Sequence, residues 1–241
     1  MDRLTIGVLT PHVAPGPEVE LPTASAGRVT VHLSRVPAPV AEQSRPWDSL
    51  RAQAAAAALD HAVGLIKLPV GMLAWASTTT SYLIGALAER DLRQRLNDRH
   101  QLPAVTGGLA AADALTWLGA SDLLVVHPPW FDVDLDHLAV SYFAKHGLTA
   151  RVVRATALPA DPASVQTRDV IVDVAAVLDQ RTCPVFLPGH GFRTTAAIET
   201  LENRTGRVVI GANQALLWAA LRTLGTPPWP QLPGSLFHDG R

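Results

Sequence analysis

The sequence predicts a parallel α/β protein built as two pseudo-twofold-related, Rossmann-like lobes, each a short parallel sheet flanked by helices, with the active site in the cleft between them. Three observations predict it. Short β-branched and aliphatic runs alternate with amphipathic helical stretches, which is the pattern of parallel α/β folds. The two halves match each other segment by segment, in the same order. The chain has 241 residues, of which 48% are hydrophobic and 17% charged, enough apolar material for one sizeable core or two small ones.

The strands are expected at Leu4–Leu9, Val29–Val36, Val63–Leu68, Leu123–Val126, Ala150–Ala155, Val185–Leu187 and Val208–Ile210. Helices are expected at Ser81–Leu96, Leu135–Lys145, Val170–Gln180 and Thr194–Asn203. Within the repeat, Ile6–Pro11 corresponds to Leu123–Pro128, each a strand ending in a polar residue and a proline. Val29–Arg35 corresponds to Leu148–Arg154, and the helical run Ala110–Gly119 to Leu216–Gly225. This order puts a lobe boundary near Ala120, with an N-terminal lobe over 1–119 and a C-terminal lobe over 120–211. The closing helix, 212–225, is free to cross back to the first lobe, and the proline-rich stretch 226–241 reads as an extended tail.

Composition narrows the function. A net charge of -1 leaves no cationic excess for nucleic acid or an anionic membrane, so the expected partner is a small molecule. A single cysteine, Cys183, allows no intrachain disulfide and no multi-cysteine metal site, which fits the cytoplasm. The N-terminus, from Met1 through Ile6, passes directly into a strand without the features of a secretion signal. His12, His127, His190 and the Asp132/Asp134/Asp136 run lack established metal-ligand spacing, so no metal is expected. The three aspartates read instead as an acidic helix start. Thr106-Gly107-Gly108 lacks the third glycine and the acidic partner of a dinucleotide fingerprint, and no organic cofactor is implied.

Two segments are suited to chemistry. Five consecutive hydroxyl residues, Ser77 to Ser81, lie between a strand and a helix. Ligands bind at the carboxyl ends of parallel strands, and a helix start offers free N–H groups to a carboxylate or oxyanion. One or two of the five serve equally well as ordinary caps. In the second half Pro188-Gly189-His190-Gly191-Phe192-Arg193 occupies the same place. Gly189 and Gly191 permit close backbone approach, His190 suits proton exchange, and Arg193 suits bidentate carboxylate binding. A plain glycine turn with a surface histidine and arginine has the same sequence signature.

With Ile6–Pro11 and Glu18 and Glu20 behind it, Ser77–Gly85, Phe186–Thr194 and Gly206–Trp218, nearly the whole chain resembles the maleate isomerase and arylmalonate decarboxylase branch of the aspartate/glutamate racemase superfamily. The resemblance implies two cysteines on opposite faces of the substrate carbon. Here those positions hold Ser77 and Gly189, and Cys183, six residues before Gly189, falls at the wrong end of its strand. It further implies Thr78, Thr79 and the His190 amide as oxyanion donors, Trp130 in place of a tyrosine, and Ala14, near Pro11 and His12, in place of a carboxylate-binding asparagine. Trp75, Trp130 and Phe192 are candidate apolar walls. The expectation is therefore a cofactor-independent lyase or isomerase acting on a small carboxylate through an enediolate or carbanion. Ser77 or His190 would be catalytic, and Thr78, Thr79, Trp130, Gly189, Gly191, Arg193, Pro11 and His12 would bind substrate. Loss of both thiols weighs against racemisation and thiolate-driven isomerisation and favours decarboxylation. The competing reading is an altered family member that binds a carboxylate ligand or performs a specialised biosynthetic reaction. The resemblance also suggests a homodimer.

Overall fold

A computed structural model describes residues 3–37 and 46–238. Met1, Asp2 and the last three residues of the expected tail lie outside that range. The first sheet contains β1 (Leu4–Thr10), β2 (Val29–Arg35), β3 (Met72–Trp75) and β4 (Ala104–Thr106), and the second β5 (Asp122–His127), β6 (Thr149–Arg154), β7 (Val185–Leu187) and β8 (Val209–Gly211). Both sheets are parallel and share one strand order, β2-β1-β3-β4 and β6-β5-β7-β8. Ligand chemistry therefore belongs at the carboxyl ends of β1, β3, β5 and β7, around the point where the order reverses in each sheet.

The helices are α1 (Pro17–Ala24), α2 (Pro46–Gln53), α3 (Ala56–Gly64), α4 (Thr78–His100), α5 (Gly107–Trp117), α6 (Asp134–Ala144), α7 (Thr167–Val177), α8 (Ile198–Thr205) and α9 (Ala212–Thr223). Helix α9 follows the second sheet yet packs against α5, α1, β3 and β4 of the first half. Its residues from Ala212 to Leu221 are all buried, the signature of a helix enclosed on every side. Leu216, Leu217 and Leu221 each contribute about 1.5–3 kcal/mol of burial energy. Through α5 and α9 one continuous core joins Ile6, Val8 and Met72 to Val125, Phe143, Phe186 and Ile210, and each sheet has a separate apolar cluster on its outer face. None of the described helices is long and apolar enough to cross a membrane.

Three expectations need correction. The run Val63–Leu68 is not a strand: Val63 and Gly64 close α3, Leu65 and Leu68 are exposed, and the strand is the wholly buried Met72–Trp75. A continuous apolar run of four residues is what a parallel strand covered on both faces requires. The helix expected from Thr194 is a 3-10 turn over Thr195–Ala197 followed by α8. The proline-rich segment is no free tail, since Leu232, Leu236 and Phe237 are buried in the shared core and the Pro233 carbonyl accepts from Gln214 at 2.7 Å.

Candidate active site

Between the lobes, at the carboxyl ends of β1, β3 and β5, lies a cleft of about 400 Å3. His12, Trp47, Leu50 and Thr79 line it from the first lobe, and Trp130, Phe131, Asp132 and Leu135 from the second. A larger cavity of 590 Å3 lies along α5, but of the strand ends only that of the edge strand β4, at Thr106, reaches its walls. Position at the sheet switch points, rather than size, therefore selects the smaller cleft as the candidate site.

Thr10, the last residue of β1, sets the floor. Its hydroxyl donates to the Ala76 carbonyl at 3.0 Å and accepts from the His12 amide at 3.3 Å, drawing the first two loops together. His12 Nε2 consequently lies 3.2 Å from Ser77 Oγ. Ser77 is the N-cap of α4, with its Oγ accepting from the Thr80 amide at 3.2 Å and lying 2.8 Å from Thr80 Oγ1. The amides of Thr78 and Thr79 open the helix and have no intrahelical acceptor. Gly85, with φ of +80°, breaks α4 two turns later, so these amides act as local dipoles more than through a long helix.

The lobes are stitched together directly beneath the cleft. Gly189 donates its amide to Thr78 Oγ1 at 3.0 Å. Glu20 of α1 accepts from the Thr195 amide and from Asn213 Nδ2, both at 2.6 Å, and the same Nδ2 donates to the His190 carbonyl at 3.0 Å. A carbonyl can only accept, so Asn213 turns its oxygen to His190 Nδ1, 2.8 Å away, and Nδ1 carries the hydrogen. Among the described residues Nε2 is a buried lone pair without a partner, packed against Gly107, where an added Cβ would sit 2.3 Å away.

Several expected site residues come together and others do not. Ser77, Thr78, Thr79, His12 and Trp130 converge at or just beneath the cleft. Phe131 stands over Gly189, 3.3 Å from where a Cβ would be, filling the space of any side chain there. His190 is wholly buried and sealed into the interlobe wall, because Asn213 and Glu20 hold its loop from behind. Arg193 points elsewhere, donating to the Ala163 and Val165 carbonyls and lining a separate 280 Å3 cavity beside Glu20. Gly191 packs on Ala14, and Pro11 is half-buried at the end of β1; neither lines the cleft. Trp75 and Phe192 are core residues, with Phe192 serving as the edge-on support of Trp130 at 5.5 Å. Cys183 is buried at the amino end of β7, its sulfur 3.3 Å from Arg207.

Sequence reasoning missed two buried networks. His127 Nδ1 lies 2.6 Å from Asp136, which is gripped by Arg154, while its Nε2 has no partner among the described residues. Glu89, deep in α4, accepts from Ser81 Oγ at 2.8 Å, the Gly108 and Leu109 amides at 3.0 and 3.2 Å, and the Tyr142 hydroxyl. An acid midway along a helix gives no sequence signal of this kind. Asp136 did, being one of the three aspartates read as a helix start.

Burial lowers His12 and His127 to about 4 and His190 to about 3, and raises Glu20 and Glu89. The unfolded chain therefore protonates these histidines first on acidification. Their stabilising contribution is full above about pH 6.5 and is lost toward about pH 4, while the two raised glutamates favour the fold in acid. Long-range 1H–15N NMR should find His190 protonated on Nδ1 alone between about pH 8 and 5; an inflection between about pH 6 and 7 would contradict the hydrogen-bond assignment.

The comparisons agree with this architecture. Residues 52–237 match the family described as arylmalonate decarboxylase. The chain belongs to that family. Among solved structures, the maleate isomerase Iso from Pseudomonas putida S16 is 22% identical, with 97% of this chain and 98% of that one covered and a TM-score of 0.78. The Nocardia farcinica maleate cis-trans isomerase bound to TRIS is 18% identical, with 98% of both chains covered and a TM-score of 0.81. An unliganded arylmalonate decarboxylase is 20% identical, with 98% and 100% covered and a TM-score of 0.78. At these identities the likeness shows the fold alone: two parallel α/β lobes. No curated protein matches the chain significantly.

Proposed function

We propose that the chain is a cofactor-independent decarboxylase of small substituted malonates, working through an enediolate. One observation carries this reading: the cleft combines a hydroxyl-and-amide floor with five apolar side chains, and among the described residues no Lys or Arg lines it. One substrate carboxylate would rest on Thr79 Oγ1 and the open amides of α4, where the enediolate charge develops. The other would face Trp47, Leu50, Trp130, Phe131 and Leu135. A carboxylate held against such walls is poorly solvated, and its loss as neutral CO2 relieves that cost.

The electrons of the breaking C–C bond pass into the enediolate. Ser77 Oγ then gives its proton to the α-carbon, yielding a monocarboxylate, and His12 Nε2 returns a proton from solvent to Ser77. His12 is half-buried at the cleft edge and is suited to that exchange. Neutral His12 is the working form above about pH 4, so turnover should lack the inflection near about 6.5 that an ordinary histidine gives. Thiolate-driven isomerisation is disfavoured, because Cys183 is buried and lies at the far end of β7 from the cleft.

Steady-state kinetics on aryl- and alkylmalonates test the assignment. Thr79→Val should lower kcat about 100- to 1,000-fold, the effect of removing one oxyanion donor. Ser77→Ala should lower kcat at least about 100-fold with KM little changed. Full activity in both variants would remove these residues from the chemistry.

A further inference from the structure

The cavity along α5, about 590 Å3, shares no lining residue with the cleft. It runs along α5 between α4 and α9, and its floor is the edge strand β4. Two tryptophans flank it, Trp117 and Trp218, with ring centroids 6.3 Å apart. The Arg222 guanidinium lies over both, 4.0 Å from Trp117 and 5.1 Å from Trp218. Arg93 enters from α4 and Asp113 from α5, and among the described residues neither arginine nor this aspartate makes an ion pair. On the floor, Thr106 is buried.

We propose that this groove is a second ligand site, for a planar aromatic compound bearing a single carboxylate. A guanidinium whose flat face is taken by indoles still presents its N–H edge, the geometry that grips a carboxylate with two parallel bonds. Indole faces hold an aromatic ring in offset or edge-on contact, and the cavity is within the size range of small-molecule sites. Two arginines against one aspartate leave a single positive charge to neutralise, so a monoanion matches the lining and a second carboxylate meets Asp113. Malonate decarboxylation turns a dianion into such a monoanion, so the groove would sense product in preference to substrate. Only that last link rests on the proposed activity.

The test is a titration of the full chain with phenylacetate, following the indole N–H resonances of its six tryptophans by 1H–15N NMR. Trp117 and Trp218 should shift saturably, phenylmalonate and benzyl alcohol should shift them less, and Arg222→Gln should weaken the phenylacetate effect about tenfold or more. Arg222 is exposed, so this substitution leaves the core intact. Shifts confined to Trp47 and Trp130, which line the cleft, would overturn the proposal, as would groove shifts unchanged in Arg222→Gln. Phenylacetate is not itself decarboxylated in this scheme, so failure here is distinct from failure of the proposed activity.

Discussion

Glu89→Leu should destabilise the protein by about 3–5 kcal/mol, lowering Tm by on the order of 10 °C. The wild-type carboxylate accepts four hydrogen bonds, from Ser81, Gly108, Leu109 and Tyr142, in a fully buried position. Leucine fills much of the volume and accepts none of them, leaving two amides at the start of α5 and two hydroxyls without their buried acceptor. Because Tyr142 belongs to α6 of the second half, the substitution also removes one of the polar ties between the lobes. Tyr142→Phe takes away a single donor and should cost only about 1–2 kcal/mol, and Glu89→Gln, which keeps an acceptor oxygen, should fall between the two. Thermal and urea unfolding of the three variants checks the ranking; a neutral Glu89→Leu would show that the network contributes nothing.

Gly16→Ala should cost about 3 kcal/mol or more and reduce activity with it. An added Cβ would lie 1.8 Å from the His190 carbonyl oxygen, far inside contact distance. The oxygen cannot simply retreat, since it accepts from Asn213 Nδ2, and that group is held in turn by Glu20. Either the His190 loop moves away from Thr78, breaking the Gly189 amide bond, or the loop preceding α1 shifts and takes His12 from Ser77. Both outcomes disturb the floor of the cleft, so a variant with wild-type stability and kinetics would refute the packing described here.

The fold was readable because parallel α/β structure announces itself twice, in alternating apolar runs and in a duplicated order of elements. What escaped were elements whose signal is short or local. β4 has three residues, and β3 was displaced by the neighbouring apolar run Val63–Leu68, part of which ends α3 and part of which is exposed. The hydroxyl run Ser77–Ser81 was legible as a candidate site because so many hydroxyls exceed what a cap needs, and in the fold Thr79 faces the cleft while Ser77 meets His12. His190 and Arg193 misled for a physical reason. A histidine between glycines at a strand end looks available, and only the tertiary contacts of Asn213 and Glu20, which come from distant parts of the chain, turn it into a wall. Arg193 is drawn off by the carbonyls of Ala163 and Val165, acceptors that no sequence motif marks.

The most direct test of the central claim is to incubate the purified chain in D2O with a panel of aryl- and alkylmalonates, maleate and aspartate, and to follow the products by proton NMR. A malonate should lose CO2 and its monocarboxylate product should carry one deuterium at the α-carbon, with the rate reduced in Ser77→Ala and Thr79→Val. Fumarate from maleate, or exchange at the α-hydrogen of aspartate without loss of CO2, would contradict it.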